Sequence, residues 1–180
     1  FWAEGATEVK YSNCTASEIW GIGFMFSVAT LKNVNAYLSR NSVMYSNCTV
    51  TGTPDSYKGD SSGFDAKSYY TASGELGRSM YVGYTSCKTD RKRAGFRIWS
   101  RNAKDEVNFT NCHAGYAADG DYSYGYLIDP GVDNAAGENL IINMLNCSVS
   151  SFLNTADITN MGVPIGDISV VRNADSNIGA

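Results

Sequence analysis

One phrase recurs along this chain and restricts what it can fold into. It reads VKYSNCTA from Val9 to Ala16, VMYSNCTV from Val43 to Val50, VNFTNCHA from Val107 to Ala114 and INMLNCSV from Ile142 to Val149. A further copy, VGYTSCKT from Val82 to Thr89, has Ser86 where the others have Asn. Every copy alternates apolar and polar positions before its Asn-Cys (Ser-Cys in VGYTSCKT), the period-2 pattern of a strand with one face buried. A second match follows each variable loop, where a glycine and an aromatic open another alternation: GFMFS at Gly23, GFDAKS at Gly63, GFRIWS at Gly95 and GYLID at Gly125.

Short strands separated by turns and repeated every 25 to 39 residues describe a solenoid, in which a coil buries its apolar face only by stacking on the next. The segments are β-branched and aromatic with no sustained 3.6 period, so helices are excluded. A sandwich also has short strands, but it has no need for the same Asn at the same corner. In a stack of coils that need is physical. A turn buried between strands leaves backbone groups without water, and an Asn from every coil is expected to bond them and its neighbours as an internal amide ladder. The ends extend the pattern. FWAEGATEV from Phe1 resembles IWSRNAKDEV from Ile98 with one residue deleted, and SVVRNADS from Ser169 puts Asn173 in the Asn register and Ala174 in that of Cys. About five coils and two partial ones are expected over 1–180, as a single domain. Because Phe1 falls within a repeat, the chain is expected to be a piece of a longer one.

The cysteines fit the same reading. Cys14, Cys48, Cys87, Cys112 and Cys147 stand singly at intervals of 34, 39, 25 and 35 residues, without a CxxC and with only one histidine, so a zinc site is not expected and each is read as a small buried side chain. Asn-x-Ser/Thr occurs at Asn13, Asn47, Asn108 and Asn146 and is read as a by-product of the phrase rather than as a glycan site. A net charge of -4 with pI about 4.9 argues against nucleic-acid or anionic-membrane binding. No run approaches a membrane span, so no membrane insertion is expected.

The repeated V-x-Y/F-x-N-C turn and the following G-F/Y-x-apolar strand resemble those of the right-handed parallel β-helix proteins, the pectate-lyase-like family, over nearly the whole chain. The uneven loops, the many Tyr, Asn, Ser and Gly residues and the unpaired cysteines look most like its phage tailspike and polysaccharide-depolymerase members. The resemblance implies an all-β, right-handed, single-stranded parallel β-helix, a polysaccharide ligand, a homotrimer, and a place outside the cell or on a virion. It implies no cofactor. The fold also carries lyases, hydrolases, epimerases and adhesins, so the activity must come from the site.

Strand alternation fixes which residues face out. With Phe24, Phe64, Phe96 and Tyr126 inward, one outward column reads Met25, Asp65, Arg97, Leu127 and the next Trp2, Ser27, Lys67, Trp99, Asp129. An outward indole leaves a large apolar face in water, to be covered by a sugar ring, a loop or another subunit. The run KTDRKRAGFR from Lys88 carries five of the fourteen basic residues, with Arg91 and Arg93 as candidate contacts for a polyanion beside the reading of a solvated face. Tyr122 and Tyr124, in YAADGDYSYGY from Tyr116, suit a hydroxyl-rich ligand; the DGD within it lacks the ligand number of a calcium site.

Two chemistries fit this face. Glycoside hydrolysis needs paired carboxyl groups, and Asp65 and Asp129, two rungs and two residues apart, have backbones about 12 Å apart, long for retention and open to inversion. Lyase chemistry needs a base and a cation to neutralise the substrate carboxylate, for which Lys67 and Arg97 lie one rung apart. An Asp65–Arg97 salt bridge is the alternative use of those two. His113 is expected on the surface. The chain is therefore expected to bind and degrade an extended bacterial surface or acidic polysaccharide, against the alternative of a non-catalytic structural or adhesive shaft in a trimeric spike.

Overall fold

A computed structural model of the chain describes residues 1–4, 8–28, 41–53, 61–68, 79–100, 105–115, 124–129, 141–149 and 169–172. These residues are all-β, with no helix among them, and every strand pairing is parallel. Sheet A comprises β1 (Trp2–Glu4), β4 (Phe24–Ser27), β7 (Ser62–Lys67), β10 (Ala94–Trp99) and β13 (Tyr124–Asp129). Sheet B comprises β2 (Glu8–Ser12), β5 (Asn41–Ser46), β8 (Met80–Thr85), β11 (Glu106–Thr110), β14 (Ile141–Leu145) and β16 (Ser169–Arg172). Sheet C comprises β3 (Thr15–Ile19), β6 (Thr49–Gly52), β9 (Lys88–Asp90), β12 (His113–Ala114) and β15 (Ser148–Val149). Up to β15 the chain visits A, B and C in turn, and each strand pairs with the one a repeat away, an arrangement compatible with a parallel β-helix solenoid.

The inward columns follow the alternation. Phe24, Phe64, Phe96 and Tyr126 are in register across sheet A, as are Phe26, Ala66, Ile98 and Ile128, and all are buried. Sheet B contributes Tyr11, Tyr45, Tyr84 and Phe109. In-register stacking turns these into two ring columns. Centroids are 5.1, 5.1 and 4.9 Å apart from Phe24 to Tyr126 and 5.2, 5.2 and 5.0 Å apart from Tyr11 to Phe109. The columns meet edge to face, as Phe64 does with Tyr84 at 5.4 Å. Each such pair is worth about 0.5–1.5 kcal/mol beyond its buried area. The glycine before the aromatic is explained by close approach: a Cβ on Gly63 would lie 2.7 Å from the Gly95 carbonyl oxygen and 2.4 Å from Thr89.

The corner between sheets B and C corrects the expected amide ladder. Asn13, Asn47, Asn111 and Asn146 are exposed, not buried, and their φ angles of 54°, 53°, 53° and 52° place them in the left-handed region. Asn recurs because it tolerates that conformation better than other residues with a Cβ. Ser86 adopts the same 53° without an amide to offer. The internal ladder is the cysteine column, with Cys48, Cys87, Cys112 and Cys147 buried and Cys14 half-buried. Main-chain bonds run through the corner unbroken. Asn47 N donates to Thr85 O and Asn111 N to Leu145 O, while Lys88 N donates to Cys48 O and His113 N to Cys87 O.

Both end alignments shift. Trp2 pairs with Met25, and Glu4, not Trp2, stands opposite Ser27; Phe1 stacks on Phe24 at 4.7 Å, extending the Phe24 column rather than the Phe26–Ile98 column that its alignment with Ile98 implied. A two-residue slip preserves which face a side chain takes, so alternation did not reveal it. At the other end Val170 lies opposite Ile142, one residue off the expected alignment; residues 173 and 174 lie outside the described part.

Candidate functional site

The outer columns of sheet A bring four of the expected site residues together. Asp65 pairs in register with Arg97, and Lys67 with Trp99. The Arg97 guanidinium grips Asp65 Oδ2, with Nε donating at 3.1 Å and Nη2 donating to the same oxygen. Lys67 Nζ stands 3.5 Å from that oxygen. Both cations also reach the indole: Lys67 Nζ is 5.1 Å and Arg97 Cζ 5.6 Å from the Trp99 ring centroid, within the range of a cation–π attraction.

These residues lie on the face opposite the aromatic core, but they are not freely exposed. Asp65 is 1% and Arg97 5% accessible, whereas Lys67 and Trp99 are half-buried. A carboxylate and a guanidinium out of water persist only as partners, because desolvating either alone costs several kcal/mol. The cross-strand salt bridge is thus formed. Asp65 Oδ1 is buried and accepts no hydrogen bond. The backbone of Asp129 lies opposite Trp99; its side chain is outside the described part. Trp2 stays on the outer face at 67% exposure, in the Met25 column rather than the Trp99 column, with its Nε1 3.5 Å from Ser27 Oγ.

The basic run divides. Lys88 and Arg91 are exposed and Arg93 is half-buried, with Arg91 in the left-handed region at φ 57°. Lys92 is fully buried. Its ammonium donates to the Gly21 carbonyl at 2.7 Å and to that of Ile19, two repeats back, and burial pulls its pKa down to about 8. With Arg97 also buried, two of the five charges expected to face a polyanion do not. Tyr124 is half-buried at the start of β13, and Tyr122 and the DGD segment lie outside the described residues. His113 is half-buried, its Nδ1 2.8 Å from Ser148 Oγ.

Sequence reasoning missed Asp105. It is fully buried, its Oδ1 accepting from Met80 N at 2.7 Å and its Oδ2 from Ser68 at 2.5 Å and Ser100 at 2.8 Å. That satisfied carboxylate ties the end of sheet A strands to the start of sheet B strands. The signal was available: Ser68 and Ser100 each follow the GFxxx strand at the same offset. Trp20, 58% exposed after β3, was also missed, having no counterpart in the other repeats.

No protein-family model, no curated protein and no solved structure matches this chain.

Proposed function

We propose that the chain is a segment of a right-handed, pectate-lyase-like parallel β-helix of about five coils, outside the cell or on a virion, that binds an extended anionic polysaccharide along the outer face of sheet A. The observation that carries this reading is the half-buried Trp99 indole with the Lys67 ammonium 5.1 Å from its ring: an apolar platform for the C–H face of a sugar beside a cation for its acidic group. Arg91 and Arg93 add positive potential at the entrance to the same strand.

The geometry supports binding better than cleavage. Asp65 is held away from water by Arg97 and Lys67, so its carboxylate and the two cations are engaged with one another, and of the expected catalytic residues Asp129 is the carboxyl group left for degrading the bound chain. A second reading, a non-catalytic shaft packed in a trimer, is favoured by the exposure of Trp2 and Trp20, whose apolar area suits a subunit contact.

Affinity electrophoresis in gels containing acidic or neutral polysaccharides tests the first reading. Trp99→Ala is expected to weaken retardation by about tenfold, equal to about 1.4 kcal/mol, with the melting temperature little changed. Equal migration of both proteins through every glycan overturns it. Appearance of reducing ends or of unsaturated uronate absorbance separates cleavage from binding, and a solution mass of three chains supports the shaft.

A further inference from the structure

The cysteine column takes no part in the proposed glycan face, and its geometry suits a different ligand. The residues after Cys14, Cys48, Cys87, Cys112 and Cys147 are in direct register, Thr15 opposite Thr49, Thr49 opposite Lys88, Lys88 opposite His113 and His113 opposite Ser148. The thiols therefore stand one per rung. All five are free. Each inner thiol is held the same way: Cys48, Cys87 and Cys112 donate to the preceding rung's Tyr11, Tyr45 and Tyr84 carbonyls at 3.6, 3.5 and 3.4 Å. Cys48, Cys87, Cys112 and Cys147 all lie buried in the core on the inner side of the corner.

Rung spacing decides what such a column can hold. In-register residues of parallel strands keep parallel Cα–Cβ bonds, so successive Cβ atoms stay near the strand separation of about 4.8 Å. A disulfide needs about 3.5–4.5 Å, so neighbours resist joining to each other. A two-coordinate ion between two thiolates spans twice a bond of about 2.3 Å, or about 4.6 Å, which matches the rung. Thiolates select soft ions. The surrounding core is apolar, and it penalises net charge; a divalent ion with two thiolates is neutral, whereas a monovalent one leaves a negative charge. The column never gathers three ligands at one point, and among the described residues no group of three metal-binding side chains occurs, so ions that require four ligands are not served.

We propose that adjacent cysteines of the column bind a soft divalent ion of linear preference, with mercuric ion as the probe, one ion between two successive rungs. In each event two S–H bonds break, two S–metal bonds form, and two protons pass to solvent. The half-buried Cys14 at the edge of sheets B and C is the entry point, reached from within by local opening of the outermost strands.

The test titrates the folded chain with mercuric ion against excess glutathione, reading ions retained, protons released and the sulfur number per mercury by X-ray absorption. Two ions per chain are expected, each with two sulfurs and two protons released. C48S/C112S keeps Cys14, Cys87 and Cys147, none on neighbouring rungs, and is expected to retain no ion. C14S/C147S has as many thiols, with Cys48, Cys87 and Cys112 contiguous, and is expected to retain one. Equal retention by the two double variants overturns the proposal, as does one sulfur per mercury in the unsubstituted chain, a result that depends on no variant folding.

Discussion

The Asn-Cys corner and the outer face of sheet A share one register, yet they use it in opposite ways. At the corner the chain repeats itself: Asn13, Asn47, Asn111 and Asn146 all sit at φ between 52° and 54° and each is followed by an inward cysteine. On sheet A the successive rungs carry Trp2, Met25, Asp65, Arg97 and Leu127 in a single column. Identical residues at identical positions answer a backbone requirement that returns with every coil. Dissimilar residues in one column cannot be answering such a requirement, and there specific partners, Arg97 with Asp65 and Lys67 with Trp99, have been assembled.

The contrast is strongest in the cost of substitution. Arg97→Ala leaves the Asp65 carboxylate buried without its guanidinium and is expected to cost about 3–5 kcal/mol, measured by denaturant unfolding; Asp65→Leu with Arg97→Met should recover most of the loss. If Arg97→Ala costs no more than a corner substitution, the cluster is not the buried pair described.

Lys92 gives the next effect, through pH. Its folded pKa of about 8 lies below the ordinary 10.5, so between those values the unfolded chain holds a proton that the folded chain has released. Stability should therefore rise as pH increases from about 8 to 10.5. Lys92→Met should flatten that rise in a series of thermal melts, and a wild-type midpoint that falls over this window through loss of the Lys92 charge would contradict the assignment.

Asn111→Ala gives the smallest effect. With no internal amide bond to lose, the cost is that of placing Ala in the left-handed region that Asn tolerates, about 1 kcal/mol, and Asn111→Gly should cost nothing. A glycine variant as damaged as the alanine one would restore the amide ladder.

The sequence revealed most of the interior. Alternation placed Phe64, Phe96 and Ile98 inward, and the repeat aligned them rung by rung. It also grouped Asp65 with Arg97 and Lys67 with Trp99, because register follows from the aligned phrases. What it left hidden has physical reasons. Asn serves both a buried amide ladder and a left-handed turn, so its recurrence alone did not choose between them until Ser86 was seen to share the angle. Trp2 moved by two residues, a slip that alternation cannot detect. The burial of Asp65 and Arg97 depends on what lies over the sheet, and the bond from Lys92 to Gly21 skips a repeat, beyond any pattern of neighbouring positions.

The unbroken main-chain bonds through the corner make sheets B and C one creased ribbon rather than two plates on a hinge. Amide protons at Asn47 and Asn111 should then exchange as slowly as those in the strands beside them, and a pull applied to one sheet would pass to the other through the crease without opening the thiol column behind it.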